Sequence, residues 1–454
     1  MNKALRGRIN KQRAIAATAV LALLIGLAAC GGGDGGGGNG PGSTELDLVI
    51  GNSLPLSGSA KSLGESGEKA SEIALDRIDG ASDTAGSDHN VRIVNEDQGS
   101  DADSAVDSAK ELVDGDRASC LTGPWSSEGV ADVAHDVAIP AKILEISPVG
   151  VSEDVTELRD QDLIVSTALP LSTEGGAIAK AIERGLGGAA GYTANVAAST
   201  DPSSDTITQD FIEAWQDEDG TVGGQIVLAP PPLSSSTSND SDSSSSTYSS
   251  QASQLTSNSP DAVLVIDDLT GFAEFAPALS SSFSWDPATA WGNDQLISPG
   301  LPEELGTDAV EGMRALAPGA PKDEEATSAF VDEFKSAPPR KVKLAPHATQ
   351  QFDATILCYL AAVAAGSTDG QKMADKLIDI TAPGGTQYSW QQLPDAIKAL
   401  EDGEDIDYTG ASGPVDMDVH GNATVGVYDV YQYTSGGLEV VDEVSVEKPN
   451  PATP

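Results

Sequence analysis

Apolar and polar positions alternate in blocks along most of the chain. Leu46-Asp47-Leu48-Val49-Ile50-Gly51 reads as a strand, and Ala70, Ile73, Ala74 and Ile78 recur near a 3.6-residue period that predicts a helix over 64–79. Val91 to Val94 is the next strand. Ala102, Ala105, Val106, Ala109, Leu112 and Val113 then share one helix face, and Ser119 to Thr122 returns to strand. A helix over 126–136, a strand over 142–146 and a strand at 163–165 follow. The alternation resumes with a helix over 173–186, a strand over 194–198, a helix over 205–217 and a strand over 224–228. A helix over 248–257 leads to a strand over 262–266. Strands that alternate with helices argue for parallel sheets covered on both faces.

The last third has a different rhythm. His347 to Ala365 reads as one long helix, and 372–380 and 393–400 as two more. Pro414 to Met417 and Ala423 to Tyr433 read as strands around Val419-His420-Gly421-Asn422, a hairpin signal, with Leu438 to Val446 as a final strand. Between Pro230 and Pro260 a serine-rich stretch lacks the apolar content to order itself and is expected to begin as a surface loop.

The first residues break this pattern. Lys3, Arg6, Arg8, Lys11 and Arg13 precede an uncharged apolar stretch from Ala14 to Ala29, short for a membrane-crossing helix. That is the layout of a secretory signal, and Leu27-Ala28-Ala29-Cys30 resembles the lipobox of bacterial lipoproteins. The expectation is a signal over 1–29, a lipid on Cys30, and a glycine-rich tether over 30–46. The mature chain is then extracytoplasmic and held to the membrane by lipid only.

Charge narrows the function. The chain has 454 residues, with 70 Asp or Glu against 25 Lys or Arg, a net of −45 that becomes −50 once the basic leader is gone. Nucleic-acid binding needs clustered cations and is excluded. Three cysteines and four histidines offer no metal-ligand spacing, and no cofactor motif is present. Asp402-Gly403-Glu404-Asp405-Ile406-Asp407 lacks the spacing of a calcium loop. Cys120 and Cys358 remain after processing, either as a disulfide or as two buried thiols.

Four stretches, taken in order, resemble one family. They are LPLSGSAKSLGESGEKASEIALDRID, GPWSSEGVADVAHDVAIPAKILEISPVGV, NSPDAVLVI and DIDYTGASGPVDMDVHGNATVGVYDVYQY. Together they look like an extracellular solute-binding protein of the branched-chain amino-acid (Leu/Ile/Val) type, the binding component of an ABC importer. The resemblance implies an α/β, two-lobed periplasmic-binding-protein type I fold. Each lobe would be a mainly parallel sheet flanked by helices, with three crossover strands between them. Lobe one would hold 47–168 and 317–418, lobe two 169–316 and 419–446, and 447–454 would be a tail. A monomer would take a small polar solute, by default an amino acid, between lobes that close by hinge motion, and hand it to an ABC permease.

Site residues follow from the same resemblance. Gly123-Pro124-Trp125-Ser126-Ser127 lies between a strand and a helix, where free N–H groups favour an anion. Ser126 or Ser127 can cap that helix, and the family pattern puts Ser127 on a ligand carboxylate. Trp125 offers apolar surface to the ligand or to the core. In the loop Ser147-Pro148-Val149-Gly150-Val151, Val149, Gly150 and Val151 are expected to hold the α-amino acid. Val151 stands where relatives carry Thr, so one hydroxyl is missing, unless Ser152 replaces it by a shift of one. Asp294, in Trp291-Gly292-Asn293-Asp294, matches an acid that faces the ligand ammonium, though an acid in so acidic a chain is also an ordinary loop residue. Of Asp267 and Asp268, which end the PDAVLVI strand, Asp268 is the one placed in the cleft.

The same fold also serves as a sensor that reports ligand to a membrane receptor, and fold does not separate the two uses. An enzyme is not expected: Gly-x-Ser-x-Gly and His-Glu-x-x-His are missing, and His89, His135, His347 and His420 are scattered.

Overall fold

A computed structural model describes residues 45–448 apart from 59, 100–101, 153–154, 156–157, 159, 229–240 and 283–284. The leader, Cys30, nearly all of the tether, most of the serine-rich loop and most of the tail lie outside the described residues.

Two sheets organise the chain, as the alternation predicts. The first contains β1 (Leu46–Leu54), β2 (His89–Asp97), β3 (Cys120–Thr122), β4 (Leu144–Ser147) and β5 (Ile164–Ser166), in the order β2-β1-β3-β4-β5 and parallel throughout. Helices α1 (Lys61–Ala85), α2 (Ala102–Lys110) and α3 (Ser127–Val133) connect these strands. The strands are apolar on both faces because both faces are covered. Leu48, Ile50, Cys120, Leu144 and Ile146 join one core cluster, and Val49 and Leu121 join another under α2 and α3.

The second sheet contains β6 (Thr193–Ala198), β7 (Thr221–Val227), β8 (Ala262–Ile266), β9 (Ala290–Gly292) and β10 (Arg314–Pro318). Its helices are α4 (Glu174–Leu186), α5 (Pro202–Asp217), α6 (Ser241–Leu255) and α7 (Leu269–Ser280). The chain then returns to the first sheet with α8 (Glu325–Ser336), α9 (Ala348–Ala365), α10 (Gly370–Thr381) and α11 (Leu393–Glu401). A small sheet of β11 (Thr386–Ser389), β12 (Ile406–Gly410) and β13 (Gly413–Pro414) packs beside them. The hairpin of β14 (Val425–Thr434) and β15 (Gly437–Glu447) closes the second sheet, in the order β15-β14-β10-β9-β8-β6-β7. Five strands of that sheet are parallel, while β14 runs antiparallel to β10 and β15.

Helix α9 explains the weak periodicity of its segment. Sixteen of its residues, Ala348 to Val363, are buried, so it is apolar all round and forms the centre of the first lobe. Cys358 on α9 is joined to Cys120 on β3 by a disulfide across 238 residues of sequence, which decides between the two readings of that pair.

Several boundaries differ from the sequence reading. Helix α2 gives way at Glu111 to a wider turn, closed by Asp116 N–H donating to Glu111 O at 3.0 Å. The hairpin expected at 419–422 is a short reversal, with Asp418 N–H donating to Asn422 O at 2.9 Å and Thr424 N–H to Asp416 O at 2.8 Å. Asp418 Oδ1 accepts from the backbone of His420 at 2.9 Å and of Asn422 at 3.1 Å, and Gly421 takes φ +76°. Only one antiparallel bridge, Met417 with Ala423, flanks it, because the chain is crossing between sheets there and Asn422 pairs with Ser166. The true hairpin turns at Ser435-Gly436.

Candidate functional site

In a parallel sheet, ligands gather beyond the carboxyl ends of the strands. In the first lobe those ends release the loops after Thr122 and Ser147; in the second they release the loops after Ala198, Ile266 and Gly292. The two sets meet.

On the first lobe Ser126 is the helix cap: its Oγ accepts from Gly129 N–H at 3.2 Å. That releases Ser127, whose buried Oγ accepts from Ser152 N–H at 3.3 Å and ties the two loops together. The indole of Trp125 donates to Gln351 Oε1 at 3.1 Å, and its backbone N–H donates to Gln98 Oε1 at 2.8 Å. Gln351 donates in turn to Thr122 Oγ1 at 2.7 Å and to Ser71 Oγ at 3.0 Å. Trp125 is therefore held rigidly, edge-on to His347 with ring centres 5.7 Å apart. A methyl on Gly67 would strike the Trp125 ring, so α1 needs glycine there.

His347, with φ +65°, precedes α9 and lies buried. Its Nδ1 stands 3.2 Å from Pro148 O. A carbonyl only accepts, so Nδ1 carries the proton and Nε2 of the neutral ring is an acceptor. Burial lowers His347 to about 4, so the ring is neutral at pH 7.

Asp294 arrives from the second lobe. Its Oδ2 is 3.7 Å from His347 Nε2, and its backbone N–H donates to Glu174 Oε1 at 2.7 Å. Asp294 Oδ1 is buried without a side-chain partner among the described residues, and the backbone N–H of Gln295 is the one donor that favours the ionised carboxylate there. Burial raises Asp294 to about 6. Glu174, fully enclosed on α4, is pushed well above the usual range by burial and then by Asp294. Burial therefore favours the protonated form of Glu174, while Asp294, raised only to about 6, favours its carboxylate at pH 7 and faces the acceptor nitrogen of a neutral histidine.

The other expected contacts serve different ends. Asp268 is corrected: it is exposed and caps α7, accepting from Gly271 N–H at 2.7 Å. The acid that turns inward is Asp267, 7% exposed and raised by burial to about 7, whose backbone N–H donates to Asn293 Oδ1 at 3.2 Å. Both follow the end of β8 at Ile266, and Asp268 is drawn to the surface because its side chain closes the first turn of α7. Val149 spends its backbone on Ser147 Oγ and Ser166 Oγ. Gly150 passes so close to the crossing link that a Cβ would lie 2.6 Å from Leu169 O. Val151 is fully buried in the core of the first lobe, and its carbonyl accepts from Leu171 N–H at 3.1 Å. The structure therefore gathers Trp125, Ser127 and Asp294 and adds Glu174 and His347. Neither addition has a sequence signal: each is a lone polar residue at a helix start.

The match to known proteins accords with this geometry. The family model described as Periplasmic binding protein matches residues 47–437. The chain belongs to the periplasmic binding protein family, and its two-lobed α/β architecture is the type I fold of that family. Membership places it outside the cytoplasm, and among the described residues no helix is long and apolar enough to cross a membrane. No curated protein matches the chain significantly. Among solved structures, a leucine binding protein, LivK, from Thermotoga maritima is 20% identical with a TM-score of 0.66, over 88% of this chain and 99% of that one. The substrate-binding protein LivJ from Streptococcus pneumoniae, in complex with isoleucine, is 16% identical with a TM-score of 0.66, over 88% and 99%. A solute-binding protein of an ABC transporter from R. palustris, in complex with benzoate, is 17% identical with a TM-score of 0.61, over 90% and 99%.

Proposed function

We propose that the chain captures a small zwitterion, an amino acid, between its lobes and delivers it to an ABC importer while tethered by lipid on Cys30. The observation that carries this reading is Asp294 Oδ1, a buried carboxylate oxygen without a side-chain donor, beside His347 Nε2, a buried acceptor. An ammonium brings several N–H donors and a positive charge, and so satisfies both. A carboxylate alone would be repelled there, which separates this cleft from one built for benzoate. Ser127 Oγ and the backbone at the start of α3 suit the ligand carboxylate, and Trp125 supplies an apolar wall. Two structural neighbours, LivK and LivJ, are named for leucine or branched-chain amino acids, which accords with a zwitterion.

Thermal melting of the mature chain against amino acids, the matching amides, and benzoate tests this. A ligand at 100 times its Kd adds about 2.7 kcal/mol of stability. An amino acid should raise the melt. A response to amides or benzoate with none to any amino acid would refute the reading.

A further inference from the structure

Over 169–316 and 419–446 the chain carries 25 Asp or Glu but only three Lys or Arg: Lys180, Arg184 and Arg314. The three converge on one place. Lys180 and Arg184 lie one turn apart on α4 and reach the edge strand β15: Lys180 Nζ donates to Ser445 O at 3.4 Å, and Arg184 donates to Glu443 O at 2.8 Å. Arg314 opens β10. Between α4 and the sheet is a cavity of about 430 Å³ that Arg184 and Arg314 both line, with Ile182, Leu186, Trp291 and Val430 as its apolar wall. It sits at the amino ends of β8, β9 and β10, so it lies at the end of the sheet opposite the interlobe cleft.

Lys180 and Arg184 have structural work, stitching α4 to β15. Arg314 has less. Its guanidinium stacks 5.2 Å over the Trp291 ring and donates one bond, to Ala288 O at 3.2 Å. Among the described residues it forms no ion pair, in a lobe where carboxylates outnumber cations 25 to three. Asp261 and Asp442 also line the cavity, but Asp261 accepts from Thr193 N–H at 2.8 Å, and Asp442 faces Arg184 at 3.9 Å. An arginine has five donors, and a fork left open beside an apolar wall matches a planar carboxylate. The volume falls in the usual range for small-molecule sites, roughly 300–1,000 Å³.

We propose that this cavity is a second binding site, separate from the cleft, for a small planar carboxylate. The apolar body lies along Trp291, Ile182 and Val430, and the carboxylate accepts from Arg314 with Arg184 beside it. Calorimetric titration of the full chain with benzoate as the probe, and benzamide as its neutral match, tests this. Arg314→Gln and Arg184→Gln should each weaken benzoate at least about tenfold and leave the amino-acid response of the cleft intact. Benzamide should bind more weakly by a similar factor, and Asp294→Asn should lose the amino-acid response but keep benzoate. Arg184 also holds α4 to β15, so an unchanged melt of the unliganded variant is required beside its titration. No benzoate binding at about 10 mM, equal binding of benzamide, or loss of benzoate with Asp294→Asn alone would each overturn the proposal.

Discussion

Replacing Asp294 by Asn should move affinity and stability in opposite directions. The folded chain raises this carboxyl from 3.8 to about 6 by burial, which costs about 3 kcal/mol once the group ionises. An acid whose folded pKa is raised holds its proton longer when folded. The contribution of Asp294 to the stability of the unliganded protein is therefore fully present below about pH 3.8 and is lost as pH climbs through about 6. Asparagine removes the ionisation, and its amide can donate to His347 Nε2. Without ligand the variant should be more stable than the parent by up to about 3 kcal/mol at pH 7.5, and its stability should vary less between pH 4 and pH 6. Binding should suffer, since an ammonium brought into the cleft loses its buried counter-charge. That loss is about 3 kcal/mol, or roughly 150-fold in Kd. Urea unfolding at several pH values measures the first effect, and calorimetry with the best amino acid from the melting screen measures the second. An Asn variant that binds unchanged, or that is less stable than the parent at pH 7.5, would show that Asp294 is not the buried counter-charge of the ligand.

Two adjacent serines should separate. Ser126→Ala removes a helix cap and should cost about 1 kcal/mol of folding stability with affinity preserved. Ser127→Ala should weaken the ligand by about 1 to 3 kcal/mol; paired melts and titrations tell the two apart. Replacing both Cys120 and Cys358 by Ala opens a closure of 238 residues and should lower stability by about 2 to 5 kcal/mol. The parent should respond to a reducing agent in chemical unfolding, and the double variant should not.

What could be read from the chain depended on how far each signal extends. Helices α1, α4 and α9 and strands β1, β6 and β8 announce themselves through long apolar patterns. Strands β9 (Ala-Trp-Gly) and β10 (Arg-Ala-Leu-Ala-Pro) lack the run of Val, Leu and Ile that marks β8, although β10 is as long. Helix α7 carries Pro277 inside it, which masks its period. Ser127 and Asp294 stand out in the sequence because they lie within matching segments. Asp267 and Asp268 are neighbours in a loop, and only the cap that Asp268 makes on α7 tells which one is exposed. His347 and Glu174 meet Asp294 across 53 and 120 residues of sequence, and no local pattern records such a pairing.

The bond between Cys120 and Cys358 also sets an order of events. Lobe one is built from two stretches of chain with most of lobe two between them. As the polypeptide emerges amino end first, Cys120 and its parallel sheet appear without α9, the helix that fills their core. The stretch from 169 to 318 has five of the seven strands of its own sheet at hand and can begin to fold meanwhile. The amino-terminal segment must wait, its apolar face open and its thiol single, until Cys358 arrives 238 residues later. The lobe whose strands come first is thus the one completed after most of the other has appeared, and whatever shields exposed chain on the far side of the membrane has its longest duty there.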